Sequence, residues 1–404
     1  MKTSSLTSSK VKWRGREAFV LANDLVRLVT LAGGGHIAEF QFREQSGLPA
    51  INPLWVPPWR TIEPYRFNPR LHAKRYGPPA TGKLLSGITG HNLCLDFFGA
   101  PSDDEARHGL SIHGEAPVLR WRKAGASATH QECRVKLSVR LPVAQLRFER
   151  EIKLCRGESV AYVRETVVNE RKADHFFHWT QHVTLGPALL DPRASSVWVP
   201  ASKAKTFPHG YEGKELLDSS RDFIWPHAPS ASGKTVDLTR PFIQRGRGFV
   251  VTTLLETKRE LGYVAALNRK ANLLFGYCFR RADFPWVAIW EENRARTYAP
   301  WNGRCQARGI EFGSTPFPLT RREAFAQGPL FGVPHFSVVP ARSSQTVDYI
   351  SFLVLVPEDF GHLRDVRLTD SEILLHYQDG HGPVRLRASA LGRMSVGEKK
   401  GRDA

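Results

Sequence analysis

The feature that most constrains this chain is a two-residue alternation of apolar and polar side chains that recurs along it. Residues 133–141 alternate throughout, residues 151–154 keep the same period, and residues 160–168 and 346–354 follow it more loosely. Successive side chains of an extended strand point to opposite faces, so this period places one face in a core and the other towards solvent or a second sheet. The alternation therefore predicts β-strands.

Shorter segments extend this prediction to the whole chain. Residues 19–21, 26–31 and 36–42 are rich in strand-forming residues, and Asn-Asp or Gly-Gly-Gly breaks separate them. No segment of a dozen residues carries a 3.6-residue apolar stripe with caps at both ends. The Pro-rich residues 52–79 are expected to form a long irregular loop, of the kind that often carries function. Together these signals predict an all-β protein built as a large antiparallel β-sandwich.

The length of 404 residues would by itself suggest two or three domains. Because large β-sandwiches can run well past 200 residues as one unit, we expect a single β-sandwich domain over residues 17–390. A flexible N-terminal segment at residues 1–16 and a disordered tail at residues 391–404 would flank it. Residues 1–15 are polar and basic and lack the apolar stretch of a signal peptide, and no run of about 18 apolar residues occurs. These features favour a cytoplasmic protein.

The formal charge of +18 permits binding to nucleic acid, anionic membranes or acidic substrates. The basic residues are scattered, and only residues 399–402 approach a block, which favours a generally basic, solvated surface. We expect no nucleic-acid partner, no membrane partner, and a monomer or weak dimer; an anionic substrate stays open. The five cysteines are far apart and lack metal-ligand spacing, so we expect buried, reduced thiols and no metal site.

Three segments carry the candidate functional residues. Residues 109–115 read GLSIHGE, residues 148–186 contain an Arg-x-Ile-x-Leu strand followed by Val-Val-Asn and Thr-Gln-His, and residues 307–313 read ARGIEFG. In this order and spacing they resemble the aldose 1-epimerase family, the galactose mutarotases. The resemblance spans about residues 17–356.

Individual positions match the family's landmarks. Its His-Gly pair corresponds to His113 and Gly114, its Thr-Asn-His strand to residues 180–182, and its late-strand glutamate to Glu311. Gln181 stands where the family has asparagine, and no residue is assigned to the family's sugar-binding arginine or central aspartate. The resemblance implies a galactose mutarotase-like supersandwich with no metal or organic cofactor.

The resemblance also implies an acid–base reaction that interconverts the anomers of a monosaccharide or sugar derivative. A proton must reach the ring oxygen while another leaves the anomeric hydroxyl, so an acid and a base must coexist near neutral pH. By resemblance His182 is the acid, Glu311 the base, and His113 a hydrogen-bonding group that orients the sugar. The strand period agrees with this, because it places Thr180 and His182 on one face.

Other residues near these motifs have less specific interpretations. Trp290 is either a platform for a sugar ring or a core tryptophan, and Asp96 and His36 are candidates for the rim of the cleft. Glu291 and Glu292 are expected at a solvated strand end.

Two alternative functions remain open on the same scaffold. One is a different carbohydrate reaction, such as hydrolysis or lyase cleavage, although hydrolysis usually requires two carboxylates and only Glu311 is assigned. The other is a non-catalytic carbohydrate-binding protein. Nucleic-acid binding would need a basic cluster or a recognition helix, and the sequence offers neither.

Overall fold

A computed structural model describes residues 6–378 and 381–392 of the chain. Within these residues the protein consists mainly of β-strands, and every strand ladder is antiparallel. The predicted all-β, antiparallel class is therefore confirmed. No helix of this part of the chain has both the length and the apolar character needed to span a membrane.

The described residues form 26 strands and four α-helices. In chain order the strands are β1 (Thr7–Trp13), β2 (Arg16–Ala22), β3 (Val26–Leu31), β4 (Ile37–Phe42), β5 (His91–Cys94), β6 (Arg122–Ala128), β7 (Glu132–Leu141), β8 (Leu146–Cys155), β9 (Val160–Asn169), β10 (His175–Phe177), β11 (Thr180–Leu185), β12 (Ser195–Trp198), β13 (Ala201–Thr206), β14 (Asp222–Ile224), β15 (His227–Pro229), β16 (Thr235–Asp237), β17 (Arg247–Leu255), β18 (Leu261–Asn268), β19 (Leu273–Arg280), β20 (Trp286–Asn293), β21 (Gln306–Gly313), β22 (Ser337–Val339), β23 (Ser344–Leu355), β24 (Leu363–Leu368), β25 (Glu372–Tyr377) and β26 (Val384–Arg387). The α-helices are α1 (Pro69–Tyr76), α2 (Pro79–Leu85), α3 (Asp103–Arg107) and α4 (Arg321–Gln327).

Two large sheets form the body of the molecule. The first has the strand order β1-β2-β3-β4-β5-β11-β21-β20-β17-β13-β14, and the second has the order β12-β18-β19-β23-β9-β8-β7-β6. The main apolar core contains side chains of both, such as Leu28 and Phe40 from the first sheet and Phe148 and Ile152 from the second. The two sheets therefore pack face to face as a β-sandwich.

The sequence alternation corresponds directly to burial. Along β7, Cys133, Val135, Leu137 and Val139 are buried, whereas the polar residues between them are partly or fully exposed. This is the pattern of a strand with one face on the core. The outer face of the second sheet is covered in part by the small sheet β24-β25-β26, through a separate apolar cluster.

Two expectations about irregular segments were wrong. Thr7–Trp13 belongs to the segment expected to be flexible, yet it pairs with β2 along its whole length. Only Trp13 of this edge strand is buried, so its polar sequence lacks the apolar pattern that predicts a strand. Residues 52–79 are not one irregular loop, because they include α1, whose first turn is capped by the side chain of Asn68. Of the expected tail, residues 393–404 lie outside the described residues, and the single-domain boundary stays a prediction.

Candidate functional site

A cleft of about 290 Å³ lies on the face of the first sheet that points away from the sandwich core. Strands β11, β21 and β20 form its floor, and α1 and α2 contribute Tyr76 and Leu84 to its roof. The loop after β20 supplies Arg296 and Trp301 to one wall. The size is that of a small-molecule site.

Strand register brings the two central candidates together. Strands β11 and β21 are antiparallel neighbours with Gln181 opposite Phe312, and both of these side chains lie in the interior between the sheets. The adjacent residues, His182 after Gln181 and Glu311 before Phe312, therefore point into the cleft. As a result His182 Nε2 lies 3.2 Å from Glu311 Oε1, and both side chains line the cleft.

Glu311 is buried without the partners that a structural carboxylate requires. It is 3 % exposed, and its Oε1 atom makes no hydrogen bond to any described residue, because the contact with His182 lacks hydrogen-bond geometry. Burial raises the pKa of Glu311 well above its usual value of 4.5. Gly309, two residues earlier on the same face, leaves the space: a Cβ there would lie 2.0 Å from Glu311 Oε1. A buried polar group without partners is unfavourable and is typical of functional sites.

His182 is held in a similarly dry environment. Its Nδ1 atom lies 3.1 Å from the hydroxyl of Thr184, which restrains the ring and leaves Nε2 on the side of Glu311. Burial, followed by the neighbouring His113, lowers the pKa of His182 well below 6.5. The imidazole is therefore neutral over a wide range of pH.

His113 occupies a left-handed backbone position that directs its ring into the cleft. Its φ is 67°, and the following Gly114 has φ 79° with a position where a Cβ would approach Leu95 O to 2.2 Å, so only glycine fits. His113 Nδ1 donates to the carbonyl oxygen of Phe98. Burial lowers the pKa of His113 to about 4. The neutral ring therefore presents Nε2 as an acceptor, and its centroid is 4.9 Å from that of His182.

Trp290 lies in the wall beside this pair. Its ring centroid is 6.1 Å from that of His182, and its Nε1 donates to the Tyr211 hydroxyl at 2.8 Å. The ring is only partly buried and lines the cleft. Trp290 also packs against the apolar cluster that contains Trp55 and Trp301, so its position fits both interpretations, and its role stays a prediction.

A buried polar network fixes the strand that carries His182. Gln181 donates to Glu165 and accepts from His91, and Glu165 also forms an ion pair with Arg150 at 2.6 Å. The Tyr349 hydroxyl donates to Glu165 at 2.9 Å. Gln181 thus links β11 to the second sheet on the core side.

Two candidates lie away from the cleft. Asp96 is 1 % exposed and pairs with His175 at 2.8 Å and Arg321 at 2.9 Å, so it is a structural carboxylate and not part of the rim. His36 is fully buried and contacts the carbonyl oxygen of Pro117. The expectation that both lie at the rim was wrong, because each is enclosed by its own partners.

Glu291 and Glu292 are also not at a solvated strand end. Both are buried, because β20 lies inside the sheet between β21 and β17. Glu291 accepts from the backbone N–H of Phe242, and Glu292 accepts from the Tyr211 hydroxyl. All five cysteines are buried, as expected, and none of them forms a disulfide bond.

The structure adds wall residues that the sequence did not indicate. The Arg296 guanidinium lies between the rings of Tyr211 and Trp301, at 4.6 and 5.0 Å from their centroids. It pairs with Glu212, which also accepts from the Tyr298 hydroxyl. These side chains come from two distant loops with no periodic pattern, so no local signal marks them. Within residues 6–378 and 381–392 no group of three or more His, Cys, Asp and Glu side chains is arranged to hold a metal ion.

Comparisons with known proteins support the architecture. No protein-family model and no curated protein matches the chain. Among solved structures it is similar to a provisionally assigned aldose 1-epimerase from Klebsiella pneumoniae, with a TM-score of 0.61 and 14 % identity over 84 % of this chain and 79 % of that one. A galactose mutarotase-like protein from Clostridium acetobutylicum has a TM-score of 0.53 and 11 % identity over 87 % and 99 % of the two chains. A provisionally assigned aldose 1-epimerase from Escherichia coli K12 has a TM-score of 0.53 and 12 % identity over 84 % and 99 %. The TM-scores establish the galactose mutarotase-like fold, but sequence identities this low do not establish the reaction.

Proposed function

We propose that this protein interconverts the anomers of a sugar or sugar derivative by acid–base ring opening, with His182 and Glu311 as the proton carriers. The observation that carries the proposal is the 3.2 Å approach of His182 Nε2 to a buried carboxylate oxygen of Glu311 that has no hydrogen bond of its own. A sugar hydroxyl is the partner that this oxygen lacks. The fold supports the proposal by analogy.

The protonation states suit a reaction that moves protons without consuming them. Burial lowers the pKa of His182 and raises that of Glu311, and both shifts favour the neutral forms, an imidazole beside a protonated carboxyl. This pair holds one transferable proton. Its transfer from Glu311 to His182 gives the carboxylate and the imidazolium that ring opening requires.

We assign the two proton transfers of ring opening to this pair. Glu311 takes the proton of the anomeric hydroxyl while the imidazolium of His182 gives its proton to the ring oxygen. The bond between C1 and the ring oxygen breaks as the C1 carbonyl forms, rotation about C1–C2 exposes its other face, and closure reverses both transfers. The neutral Nε2 of His113 accepts a hydrogen bond from a sugar hydroxyl and orients the ring.

The test is exchange spectroscopy or polarimetry on freshly dissolved aldoses, comparing the wild type with Glu311→Gln. The proposal expects wild-type protein to accelerate anomer exchange above the buffer rate and the variant to lose that acceleration. Equal exchange with and without protein, for every sugar tried, would refute it.

The same samples distinguish the alternative functions. Cleavage products from a disaccharide would indicate a hydrolase or lyase. Saturable binding without turnover, which is weakened by His182→Ala, would indicate a non-catalytic carbohydrate-binding protein.

A further inference from the structure

The segment of the chain that lies over the cleft has a local excess of positive charge. The segment of residues 58–85, which includes the roof helices α1 and α2, carries six basic side chains and one acidic side chain, Glu63. Glu63 is already engaged, because it accepts from the backbone N–H of Glu17 and faces Arg16 at 3.6 Å. In the described part of the chain, none of the six basic side chains forms an ion pair with a carboxylate: Arg60, Arg66, Arg70, Lys74, Arg75 and Lys83.

Three unpaired arginines surround a second cavity beside this roof. The cavity has a volume of about 330 Å³, and we call it the arginine pocket; its lining includes Arg60, Arg75, Arg304 and Trp59. All three arginines are exposed, and no described carboxylate forms an ion pair with them. Guanidinium groups that share a cavity repel one another unless an anion lies between them. The arrangement is typical of a site that binds an anion.

A row of aromatic rings connects the arginine pocket with the candidate pair. From His182 the ring centroids step 6.1 Å to Trp290, 6.2 Å from Trp290 to Trp301, and 5.2 Å from Trp301 to Trp59. Trp290 and Trp301 line the cleft, and Trp59 lines the arginine pocket. Each step is comparable to the width of a pyranose ring, so the row has the length of more than one sugar unit.

We propose that the arginine pocket is an anion-binding subsite for an acidic oligosaccharide whose reducing-end sugar occupies the cleft. The inference rests on the proposed function in that the reducing-end ring is the one whose anomers interconvert. The chemistry that recognises the ligand is a carboxylate, sulfate or phosphate group on a sugar unit beyond the first. The separation of the arginine pocket from His182 by three tryptophans favours a second sugar unit over a charge on the reacting ring.

The experiment measures binding of four probes by calorimetry or NMR titration: digalacturonic acid, galacturonic acid, glucose 6-phosphate and neutral cellobiose. The variant replaces Arg60, Arg75 and Arg304 by Gln. We expect it to weaken digalacturonic acid binding by about 10- to 100-fold, since each guanidinium contributes a charge-assisted contact, and to leave cellobiose within about twofold. Wild-type affinity for digalacturonic acid should fall from about 0.01 M to about 0.1 M salt, as the screening length drops from ~30 to ~10 Å.

A matched control separates local binding from total charge. Arg122, Arg193 and Arg240 are also exposed, form no ion pair among the described residues and line neither cavity. Replacing these three by Gln removes the same charge, and we expect digalacturonic acid binding to stay within about twofold. Equal losses in the two triple variants would overturn the subsite, as would an unchanged affinity in the first variant.

The other outcomes identify the ligand and keep the two proposals apart. If glucose 6-phosphate binds tightest and loses most in the first variant, the acidic oligosaccharide is wrong and the charge lies on the reacting sugar. Arginine-dependent binding without accelerated anomer exchange would support the subsite and refute the proposed reaction. Accelerated anomer exchange, together with binding that does not depend on the three arginines, would support the proposed reaction and refute the subsite.

Discussion

Gly309→Ala is expected to remove most of the activity while leaving the fold intact. A Cβ at this position would lie 2.0 Å from Oε1, 2.9 Å from Cδ and 3.2 Å from Cγ of Glu311. Because ordinary contacts begin near 3.4 Å, the carboxylate must move by at least about 1 Å, and a displacement of this size typically reduces the rate by on the order of 10²-fold. The clash involves the end of a side chain and not the backbone, so the strand itself need not shift.

The unfolding free energy of Gly309→Ala is expected to change little, although its activity falls. Replacing a strand glycine by alanine restricts the unfolded chain and stabilises by roughly 0.5–1 kcal/mol where the native backbone permits it. Gly309 has no left-handed φ, so this gain should offset much of the strain from the displaced carboxylate. Activity and stability should therefore separate in this variant.

The assay pairs anomer-exchange rates with denaturant unfolding. Gly125→Ala is the matched control, because Gly125 lies in strand β6 and a Cβ added there would have no neighbouring atom within 4 Å, so this variant should keep the wild-type rate. A Gly309→Ala protein with wild-type exchange would show that the position of Glu311 is irrelevant. A loss of more than about 2 kcal/mol in unfolding free energy would show that the effect is one of folding.

The same contacts lead to four further predictions. Glu311→Gln should lower the exchange rate by about 10²- to 10⁴-fold. It should also raise the melting temperature, and by more at pH 8 than at pH 5. The reason is that the raised pKa of Glu311 makes wild-type stability fall as the pH rises above the unfolded value of 4.5. The active range of the pH–rate profile should extend beyond the window between 4.5 and 6.5, because the lowered pKa of His182 moves the acid limb to lower pH and the raised pKa of Glu311 moves the alkaline limb to higher pH; an activity maximum confined to that window would contradict this. His113→Ala should raise KM more than it lowers kcat, because a hydrogen bond made in both the ground and transition states contributes to binding, which steady-state kinetics will resolve. Glu165→Gln should reduce the unfolding free energy by about 3–5 kcal/mol in denaturant titrations, since it leaves the buried Arg150 without its counter-charge.

The strands were accessible from sequence because they rest on local rules. Alternation marked residues 133–141 and 160–168, which form β7 and β9, since both strands have one face on the core. The same rule placed His182 and Thr180 on one face of β11. The approach of His182 to Glu311 needed the family's order of motifs, because strand pairing is a long-range property.

The features that the sequence did not indicate depend on tertiary context. The helix α1 has eight residues beginning with Pro69 and no apolar stripe, so its stability comes from the cap at Asn68 and from packing of Tyr76. Glu291 and Glu292 are polar residues in an interior strand, and the hydrogen bonds they accept, together with ion pairs to Arg308 and Arg296, offset the cost of burying them. Such exceptions to local patterns can be recognised only when the positions of the neighbouring strands and loops are known.

The most direct test of the account is a double-mutant cycle on anomer exchange with His182→Gln, Glu311→Gln and the double variant. If the two side chains share one transferable proton on a single sugar ring, the double variant should exchange no more slowly than the slower single variant, because either loss disables the pair. Losses that multiply, so that each variant reduces the rate independently, would contradict the central claim.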